Sequence, residues 1–387
     1  MHLPIINTLI RIRNLFIIFV LICSLFSPTG LKAQLSNEAT ISIITCRAGD
    51  DIYNTFGHSA IRVKDPNTRL DVIYNYGMFS FKEEGFTSKF LRGKLKYWIG
   101  KSTLESFMRG YVYEKRTVLE QTLNLDNEQK NSFYQALEEN YKPENRYYLY
   151  DFFFDNCSTR IRDILANHIS DLEYPDSPEL QLSFRELLDQ HTYRSPWTDF
   201  GMDLLVGTIS DRMATVEEQM YLPEFLFNHL SKTKIGQDKD LVASISVILD
   251  FEAVEQQRDN TPYFTPLLFF IILLFIEVVI YLYNPRSTWL KLYDNIWYLL
   301  IGLGGLVLTF MWFGTDHIST KSNLNLIWMN PLILLAMYMK SRKIWAFILI
   351  LLALSVLQSA FFQSYHGAVY PIIIILILKL LRQIKNE

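Results

Sequence analysis

The chain has 387 residues, half of them hydrophobic, and a formal net charge of −3 at pH 7. Nothing in this weakly acidic balance suggests nucleic acid, so we expect no nucleic-acid partner. The sequence is mixed and globular up to about residue 260, and apolar runs dominate beyond it. We therefore divide the chain into residues 1–33, 34–260 and 261–387.

The N-terminus has the pattern of a secretory signal. Arg11 and Arg13 precede an apolar segment, residues 15 to 26, and small residues follow up to Ala33. A basic start, an apolar middle and a small residue before the cut are the parts of a signal peptide. We predict a signal peptide over residues 1–33, with an uncleaved anchor as the alternative.

Two cysteines remain after such cleavage, Cys46 and Cys157. In an exported protein they either form one disulfide or leave Cys157 as a free thiol. The sequence has no HExxH and no paired CxxC motif, so we predict no metal and no other cofactor. It also lacks the GxSxG of lipase-type serine hydrolases. The remaining candidates for nucleophilic chemistry are Cys157 and His58.

His58 lies at the start of one arm of a predicted hairpin, whose other arm covers residues 71 to 79. If the turn centres on residues 66 to 68, Asn75 lies roughly opposite His58 and within reach of it. An imidazole oriented by a polar partner is what a general base needs. A purely structural role for His58 is the alternative. Two more residues of the second arm compete for the third role: Asp71 and Tyr74.

Cys157 follows an aromatic run, residues 152 to 154, which we predict to be a buried strand or strand end. Helical spacing follows the cysteine, with Ser158 and Thr159 as predicted caps. Cys157 is therefore expected at or near a helix N-terminus, where unpaired N–H groups and the helix dipole favour a thiolate. The alternative is a small buried residue without chemistry, because free cysteine is often buried.

The rest of the exported part gives fewer signals. Residues 86 to 115 are basic and aromatic, which suits either a surface that faces substrate or membrane, or a solvated connector. Asp126 is the predicted N-cap of an amphipathic helix that carries Phe133 and Leu137 on one face. Residues 180 to 258 are predicted to be mainly helical.

Five apolar segments follow, and the third and fifth are short for the roughly 20 residues that a spanning helix needs. Basic residues after the first, third and fifth segments place those ends in the cytoplasm and the 34–260 part outside it. Glu277, within the first segment, is costly in lipid and is expected to face the bundle interior. The segments are residues 264 to 283, 296 to 313, 325 to 339, 344 to 362 and 368 to 381, and the last is flanked by Lys379, Arg382 and Lys385.

The loops on the opposite side, residues 312 to 328 and 358 to 368, are predicted to face the exported part. Their polar residues are candidates for binding a lipid headgroup or for assisting the active site. Ordinary interfacial loop residues are the alternative. The candidates are Asp316, His317, Asn323, Asn325 and His366.

Three motifs carry a resemblance: GHSAIRV at His58, VIYNYGMF at Asn75 and YDFFFDNCSTRIRD at Cys157. They resemble the circularly permuted NlpC/P60-like (papain-like) group, where a polar residue, often His, stands at the position of Asn75. The whole chain, including its TDHxxTxxNxNLxW loop, resembles a Bacteroidota family associated with lipoprotein N-acylation. The resemblance implies an α+β papain-like periplasmic domain followed by an all-α transmembrane bundle of about five helices.

The resemblance also implies a two-step acyl transfer at the outer face of the bacterial inner membrane. Cys157 would take an acyl chain from a membrane phospholipid as a thioester, with His58 as the base and Asn75 in the third role. Backbone N–H groups near Cys157 would hold the oxyanion. The acceptor would be the α-amino group of a diacylglyceryl-cysteine at the N-terminus of a bacterial lipoprotein.

Two rival functions fit parts of the sequence. A cysteine peptidase or amidase acting on peptidoglycan would explain His58 and Cys157, but not the apolar segments with polar outer loops. A non-enzymatic envelope protein would make both residues structural. The fate of the Cys157 thiol helps to distinguish them, because an acyl-chain thioester on Cys157 that hydroxylamine discharges supports acyl transfer, whereas muropeptide changes on deletion favour the amidase.

Overall fold

The computed structural model describes residues 34–51, 53–175, 181–236, 238–257, 262–283 and 287–386. The chain divides into two units, Met1–Leu35 and Ser36–Glu387, and all described strands and helices belong to the second. The predicted signal peptide, residues 1–33, and the predicted boundary at residue 260 lie outside the described residues.

The N-terminal half is built on an antiparallel sheet. Its central strand Thr40–Cys46 is buried on both faces, which explains its nearly continuous β-branched run. The strands are β1 (Thr40–Cys46), β2 (His58–Asp65), β3 (Leu70–Met78), β4 (Lys96–Ser102), β5 (Val118–Leu123), β6 (Tyr147–Leu149), β7 (Leu172–Glu173), β8 (Lys234–Ile235), β9 (Lys239–Asp240) and β10 (Val242–Leu249). Seven described strands pair in the order β10-β5-β1-β2-β3-β4-β6, and β7, β8 and β9 form a separate small sheet.

β2 and β3 form the predicted hairpin. Their pairing includes Ile61 opposite Tyr74, and this register carried onward places His58 opposite Gly77. On its other side, β2 places His58 opposite Cys46 of β1. Asn75 therefore approaches His58 diagonally across the hairpin and not from the directly opposite position.

One local prediction is wrong. The aromatic run Phe152 to Phe154 is a turn closed by a bridge between Asp151 and Asp155, because the Asp151 carboxylate accepts hydrogen bonds from the N–H groups of Phe153 and Phe154. The basic segment contains strand β4 between two helices. The segment predicted to be mainly helical is helical over most of its length, and near its end it contains strand β10. Both strands form by pairing with distant partners, β4 with β3 and β6, and β10 with β5.

Helices cover the sheet and connect its strands. Asp126 caps its helix as predicted, and Phe133 and Leu137 of that helix are buried. The helix that begins at Cys157 packs on β2 and β3 through Ile161 and Leu165. The helices are α1 (Phe86–Leu91), α2 (Leu104–Glu114), α3 (Asn127–Tyr141), α4 (Cys157–His168), α5 (Phe184–Thr192), α6 (Pro196–Leu205), α7 (Val216–Gln219), α8 (Pro223–Leu230) and α9 (Glu252–Gln257).

The C-terminal region is helical. Among its described helices, α10 (Pro266–Tyr283) and α11 (Thr288–Phe313) are long and apolar enough to cross a membrane. The chain is thus an α+β domain followed by a helical region with two apolar spans, while the papain-like relationship and the bundle of about five spans stay predictions. The helices are α10 (Pro266–Tyr283), α11 (Thr288–Phe313), α12 (Leu332–Met339), α13 (Arg342–Gln358) and α14 (Val369–Asn386).

A buried ion cluster joins α10, α11 and α14. Glu277 faces the interior as predicted, and its carboxylate lies 2.7 Å from Nζ of Lys379 and 2.8 Å from the guanidinium of Arg382. Asp294 of α11 lies 2.8 Å from Nζ of the same lysine. Lys379 and Arg382, predicted to be cytoplasmic flanking charges, are therefore buried, since two carboxylates balance their charge.

Candidate active site

Cys157 is the first residue of α4, and the residue before it caps the helix. Oδ1 of Asn156 accepts hydrogen bonds from the N–H of Ser158 at 2.8 Å and of Thr159 at 3.0 Å, and the Thr159 hydroxyl accepts the N–H of Asn156. The cap is thus Asn156, with Thr159 completing a capping box, and not Ser158 or Thr159 as predicted. These cap bonds go to the N–H groups of Ser158 and Thr159 and not to that of Cys157, which stands in the first turn, where the helix itself supplies no acceptor.

The Asn156 side chain also fixes where α4 begins. It is buried, and its Nδ2 donates to the carbonyl of Phe152 at 2.8 Å and to that of Tyr221 at 2.9 Å. Phe153 and Phe184 pack around this point in one aromatic cluster. The position of Cys157 is therefore set by buried hydrogen bonds and packing on both sides of the helix start.

His58 is oriented by Asn75. Nε2 of His58 lies 2.6 Å from Oδ1 of Asn75, while Nδ2 of Asn75 lies 3.3 Å from the sulfur of Met78. With the amide oxygen accepting from Nε2–H, the other ring nitrogen of His58 is the one left for Cys157. The predicted Cys157, His58 and Asn75 thus come together in the structure.

Two glycines shape the site. Gly57, just before His58, has φ +77°, and a Cβ there would lie 2.7 Å from the carbonyl oxygen of Cys46. Gly77 has φ +90°, and a Cβ there would lie 3.8 Å from Cε1 of His58 and 3.9 Å from Cβ of Cys157. Both functional side chains therefore border the same point above Gly77, which a larger residue would fill.

The two reactive groups shift each other's titration. Burial opposes ionisation of the Cys157 thiol, but the charge and hydrogen bond of His58 and hydrogen bonds from Ser59 and Ser158 outweigh it and lower its pKa. Burial likewise opposes the charge on His58, but the Cys157 thiolate and Asn75 outweigh it and raise the His58 pKa. Both directions favour a thiolate–imidazolium pair.

The other candidates for the third role are engaged elsewhere. Asp71 forms an ion pair with Arg62 at 2.7 Å, near the turn end of the hairpin. The Tyr74 hydroxyl donates to the carboxylate of Glu138. Among the three candidates, only Asn75 has a hydrogen bond to His58 in the described part of the chain.

The membrane-side candidates bind the N-terminal half at other places. Asn325 is buried and donates to the carbonyls of Asp203 at 3.1 Å and Leu204 at 3.2 Å, while Asn323 donates to the carbonyls of Leu204 and Leu205. Nε2 of His366 lies 3.5 Å from the carboxylate of Asp199. These residues fasten the loops to α6, and their role in substrate binding stays a prediction.

Asp316 and His317 lie against the connection between β3 and β4. The N–H of Asp316 donates to the carbonyl of Arg92 at 2.9 Å, and Nε2 of His317 lies 3.1 Å from the carbonyl of Phe90. One further contact between the loops and the N-terminal half was not predicted from the sequence. Gln363 is buried, accepts a hydrogen bond from the N–H of Leu324 and donates one to the carbonyl of Val206. Its signal in the sequence is an amide side chain directly after two phenylalanines, Phe361 and Phe362.

One acidic group lies outside this site. Asp189, Asp199 and Asp203 each place a carboxylate oxygen within 4.8 Å of the others. Arg185 already forms an ion pair with Asp203. Burial and the neighbouring carboxylates raise the pKa of Asp189 to about 7, so its protonation relieves part of the repulsion near neutral pH.

Comparison with known families covers both halves of the chain. Residues 31–190 match the family model described as the Lnb N-terminal periplasmic domain, and residues 256–386 match the Lnb transmembrane domain. No curated protein and no solved structure gives a significant match. His58, Asn75 and Cys157 all fall within the first match. The chain is therefore a membrane protein with a periplasmic domain.

Proposed function

The chain belongs to the Lnb family, and from this premise we propose that it is a lipoprotein N-acyltransferase. In this proposal an acyl chain passes from a membrane phospholipid to Cys157, and then to the N-terminal amine of a diacylglyceryl-cysteine lipoprotein. The observation that supports it most strongly is the Cys157–His58 pair, with Asn75 holding Nε2 of His58 at 2.6 Å. A nucleophile, its base and an orienting group are the parts that covalent acyl transfer requires.

The first step forms the thioester. The Cys157 thiolate attacks the ester carbonyl carbon of the phospholipid, and the N–H of Cys157 donates to the oxyanion that develops. When the tetrahedral intermediate collapses, the carbon–oxygen ester bond breaks. The leaving lysophospholipid oxygen takes the proton that protonated His58 holds, so the products are a lysophospholipid and an acyl-Cys157 thioester.

The second step moves the acyl group to the acceptor. The neutral α-amino group attacks the thioester carbonyl, and His58 takes a proton from the amine. The carbon–sulfur bond then breaks, which releases an N-acylated lipoprotein and restores the Cys157 thiolate with protonated His58. The donor ester supplies the activated acyl group, so the proposed reaction needs no cofactor.

The attachment to the membrane supports lipid substrates. Asn323, Asn325 and Gln363 bind carbonyls in residues 203 to 206 of the N-terminal half, so the membrane-side loops and the periplasmic domain are held together. We propose a multi-pass protein of the bacterial inner membrane, with its active site facing the periplasm. Both proposed substrates reside in that bilayer.

The acyl-enzyme is the direct test. The full chain, reconstituted in phospholipid vesicles without acceptor, is expected to gain one acyl chain on Cys157, detected by intact mass and removed by neutral hydroxylamine. Cys157→Ser is the matched control, because an ester on serine resists hydroxylamine at neutral pH. A wild-type chain that reacts with small thiol reagents but never gains an acyl chain would contradict the proposal.

A peptidoglycan amidase would give different results. Peptide-bond cleavage by the same pair would change the muropeptide composition when Cys157 is replaced, and would leave lipoprotein N-termini as they are. Unchanged muropeptides, together with the loss in Cys157→Ser of the acyl adduct that neutral hydroxylamine removes, would favour acyl transfer over the amidase.

A further inference from the structure

The connection between β3 and β4 carries an exposed apolar surface. We call residues 79 to 94 the aromatic loop. Its helix α1 buries none of its residues. Phe81, Phe90 and Leu91 are 76%, 49% and 47% exposed, and the rings of Phe81 and Phe90 both lie next to Phe86. A cluster of large exposed apolar side chains marks an interaction surface, whereas single exposed residues do not.

The aromatic loop is attached where a spanning helix ends. The carbonyl of Arg92 accepts the N–H of Asp316, three residues after the end of α11 at Phe313. Gly93, with φ +68°, packs so closely that a Cβ there would lie 3.2 Å from the backbone nitrogen of His317. Since α11 is apolar and long enough to cross a membrane, this attachment places the aromatic loop at the level of the membrane surface.

Basic side chains border the apolar surface. Residues 79 to 96 contain five Lys and Arg residues and two Glu residues. Exposed lysines and arginines beside exposed aromatic and leucine side chains are typical of segments that lie in an anionic lipid interface. The exposed basic residues are Lys82, Arg92, Lys94 and Lys96.

A row of aromatic rings leads from this surface toward the thiol. The ring of Phe81 lies 4.9 Å from Phe79, Phe79 lies 5.2 Å from Tyr97, and Tyr97 stacks on Tyr150 at 4.7 Å. Tyr148 lies 6.4 Å from Tyr97 and 6.3 Å from Tyr76, and Gly77, which follows Tyr76, borders Cys157. The row is therefore continuous from an exposed ring to the neighbourhood of the sulfur.

We propose that the aromatic loop lies in the outer leaflet of the membrane and guides a phospholipid acyl chain along the ring row to Cys157. The proposal rests on the proposed acyltransferase function for its second half, and on contacts with the end of α11 for its first half. The occupant is the lipid bilayer that holds α10 and α11, because a partner protein would have to compete with that bilayer for the same surface.

The position of the loop is tested without any reaction. In a Cys157→Ser background, Phe90→Cys and Tyr113→Cys each receive a fluorescent label in the full chain, reconstituted in vesicles of phosphatidylethanolamine and phosphatidylglycerol. Tyr113, on α2, is 89% exposed and serves as the control position. Lipids that carry a quencher near the headgroup are expected to quench the label at position 90 and not at 113. Equal quenching at both positions, or none at 90, would overturn the proposal.

Delivery of the acyl chain is tested by kinetics. The triple variant Phe81→Ser, Phe90→Ser, Leu91→Ser is expected to slow acylation of Cys157 by vesicle phospholipid ~10-fold or more, while acylation by water-soluble p-nitrophenyl acetate stays within about twofold. Tyr113→Ser should leave both rates unchanged. The proposed guiding role of the aromatic loop would be wrong if the triple variant slowed Cys157 acylation by both donors equally or by neither. It would also be wrong if the variant changed only the oligomeric state.

The surface charges give a variant that leaves the apolar side chains in place. Acylation by the wild type is expected to rise with the fraction of phosphatidylglycerol in the vesicles, and Lys82→Gln with Lys96→Gln should flatten that rise. An unchanged slope would contradict the anionic-lipid contact. A wild type that is acylated by p-nitrophenyl acetate but not by phospholipid would contradict the proposed acyltransferase function. The quenching result would still decide whether the aromatic loop lies in the membrane.

Discussion

Nε2 of His58 lies 2.6 Å from Oδ1 of Asn75, and this contact determines which imidazole nitrogen is left for Cys157. Asn75 is a positioning residue, since it acts through His58. We expect Asn75→Ala to slow Cys157 acylation ~10- to 100-fold, a part of the ~10²- to 10⁴-fold that a positioned base supplies. Asn75→Asp keeps an oxygen acceptor and should recover part of the rate.

The control for this prediction is Asp71→Asn on the same strand, which contacts Arg62 and should leave the rate within about twofold. The rate of Cys157 acylation is followed by intact mass at a series of pH values. If Asn75→Ala and Asp71→Asn had the same small effect, the orienting role of Asn75 would be wrong.

The pKa shifts predict a pH dependence of thiol reactivity. The pKa of the Cys157 thiol is lowered and that of the His58 imidazole is raised, because the charged form of each group stabilises the charged form of the other. Cys157 should therefore react with iodoacetamide as a thiolate at a lower pH than the ~8.5 at which an ordinary thiol titrates. In His58→Ala only the hydrogen bonds from Ser59 and Ser158 still oppose the effect of burial on the thiol, so the inflection should move to higher pH.

Cys46 does not interfere with that measurement. Burial raises its pKa to about 12, so it stays a protonated, unreactive thiol throughout the range. Peptide mapping of the alkylated chain identifies the modified cysteine. An inflection at the same pH in the wild type and in His58→Ala would contradict the ion pair.

The attachment of the two halves predicts a stability effect. Asn325→Ala leaves the buried carbonyl of Asp203 without its amide donor and removes the acceptor of the Trp328 indole N–H. We expect a loss of about 1–3 kcal/mol in thermal unfolding in detergent, with faster hydrogen exchange in residues 203 to 206. Asn67→Ala, at an exposed turn, should change the stability by no more than ~0.5 kcal/mol. Equal effects of the two variants would disprove the stabilising contact between Asn325 and the N-terminal half.

The buried ion cluster predicts a dependence on charge balance. Glu277→Ala leaves Lys379 and Arg382 with one carboxylate, Asp294. We expect it to lower the free energy of unfolding by about 3–5 kcal/mol. The double variant Glu277→Leu with Lys379→Met removes one charge of each sign and should therefore lose less stability than Glu277→Ala. Thermal unfolding in detergent measures both, and a double variant less stable than the single one would contradict the balance.

The parts of the site that local pattern determines were predictable from the sequence. The helix start at Cys157, the strand start at His58 and the hairpin that carries Asn75 all follow from residues close in the chain. The interior position of Glu277 follows from the cost of a charge in lipid. Asn156 was the nearer cap, but Ser158 and Thr159 are caps of similar propensity, so the sequence alone did not separate them.

Long-range pairing explains the remainder. β10 alternates in sequence, yet its place at the sheet edge depends on β5, more than a hundred residues earlier. Asn325 has the polarity of a substrate-binding residue. Only the fold shows that its amide nitrogen already donates hydrogen bonds to the carbonyls of Asp203 and Leu204. A polar side chain in a loop near a membrane can bind a ligand or another part of its own chain, and the sequence does not distinguish the two.

The mass of lipoprotein N-termini tests the central claim most directly. Cells in which the gene is deleted are complemented with the wild type or with Cys157→Ala at equal membrane levels, and the masses of N-terminal lipopeptides are measured. The wild type is expected to restore the mass of one amide-linked acyl chain, and Cys157→Ala to leave the amine free. Restoration of the acyl chain by Cys157→Ala would contradict the assignment of Cys157 as the nucleophile.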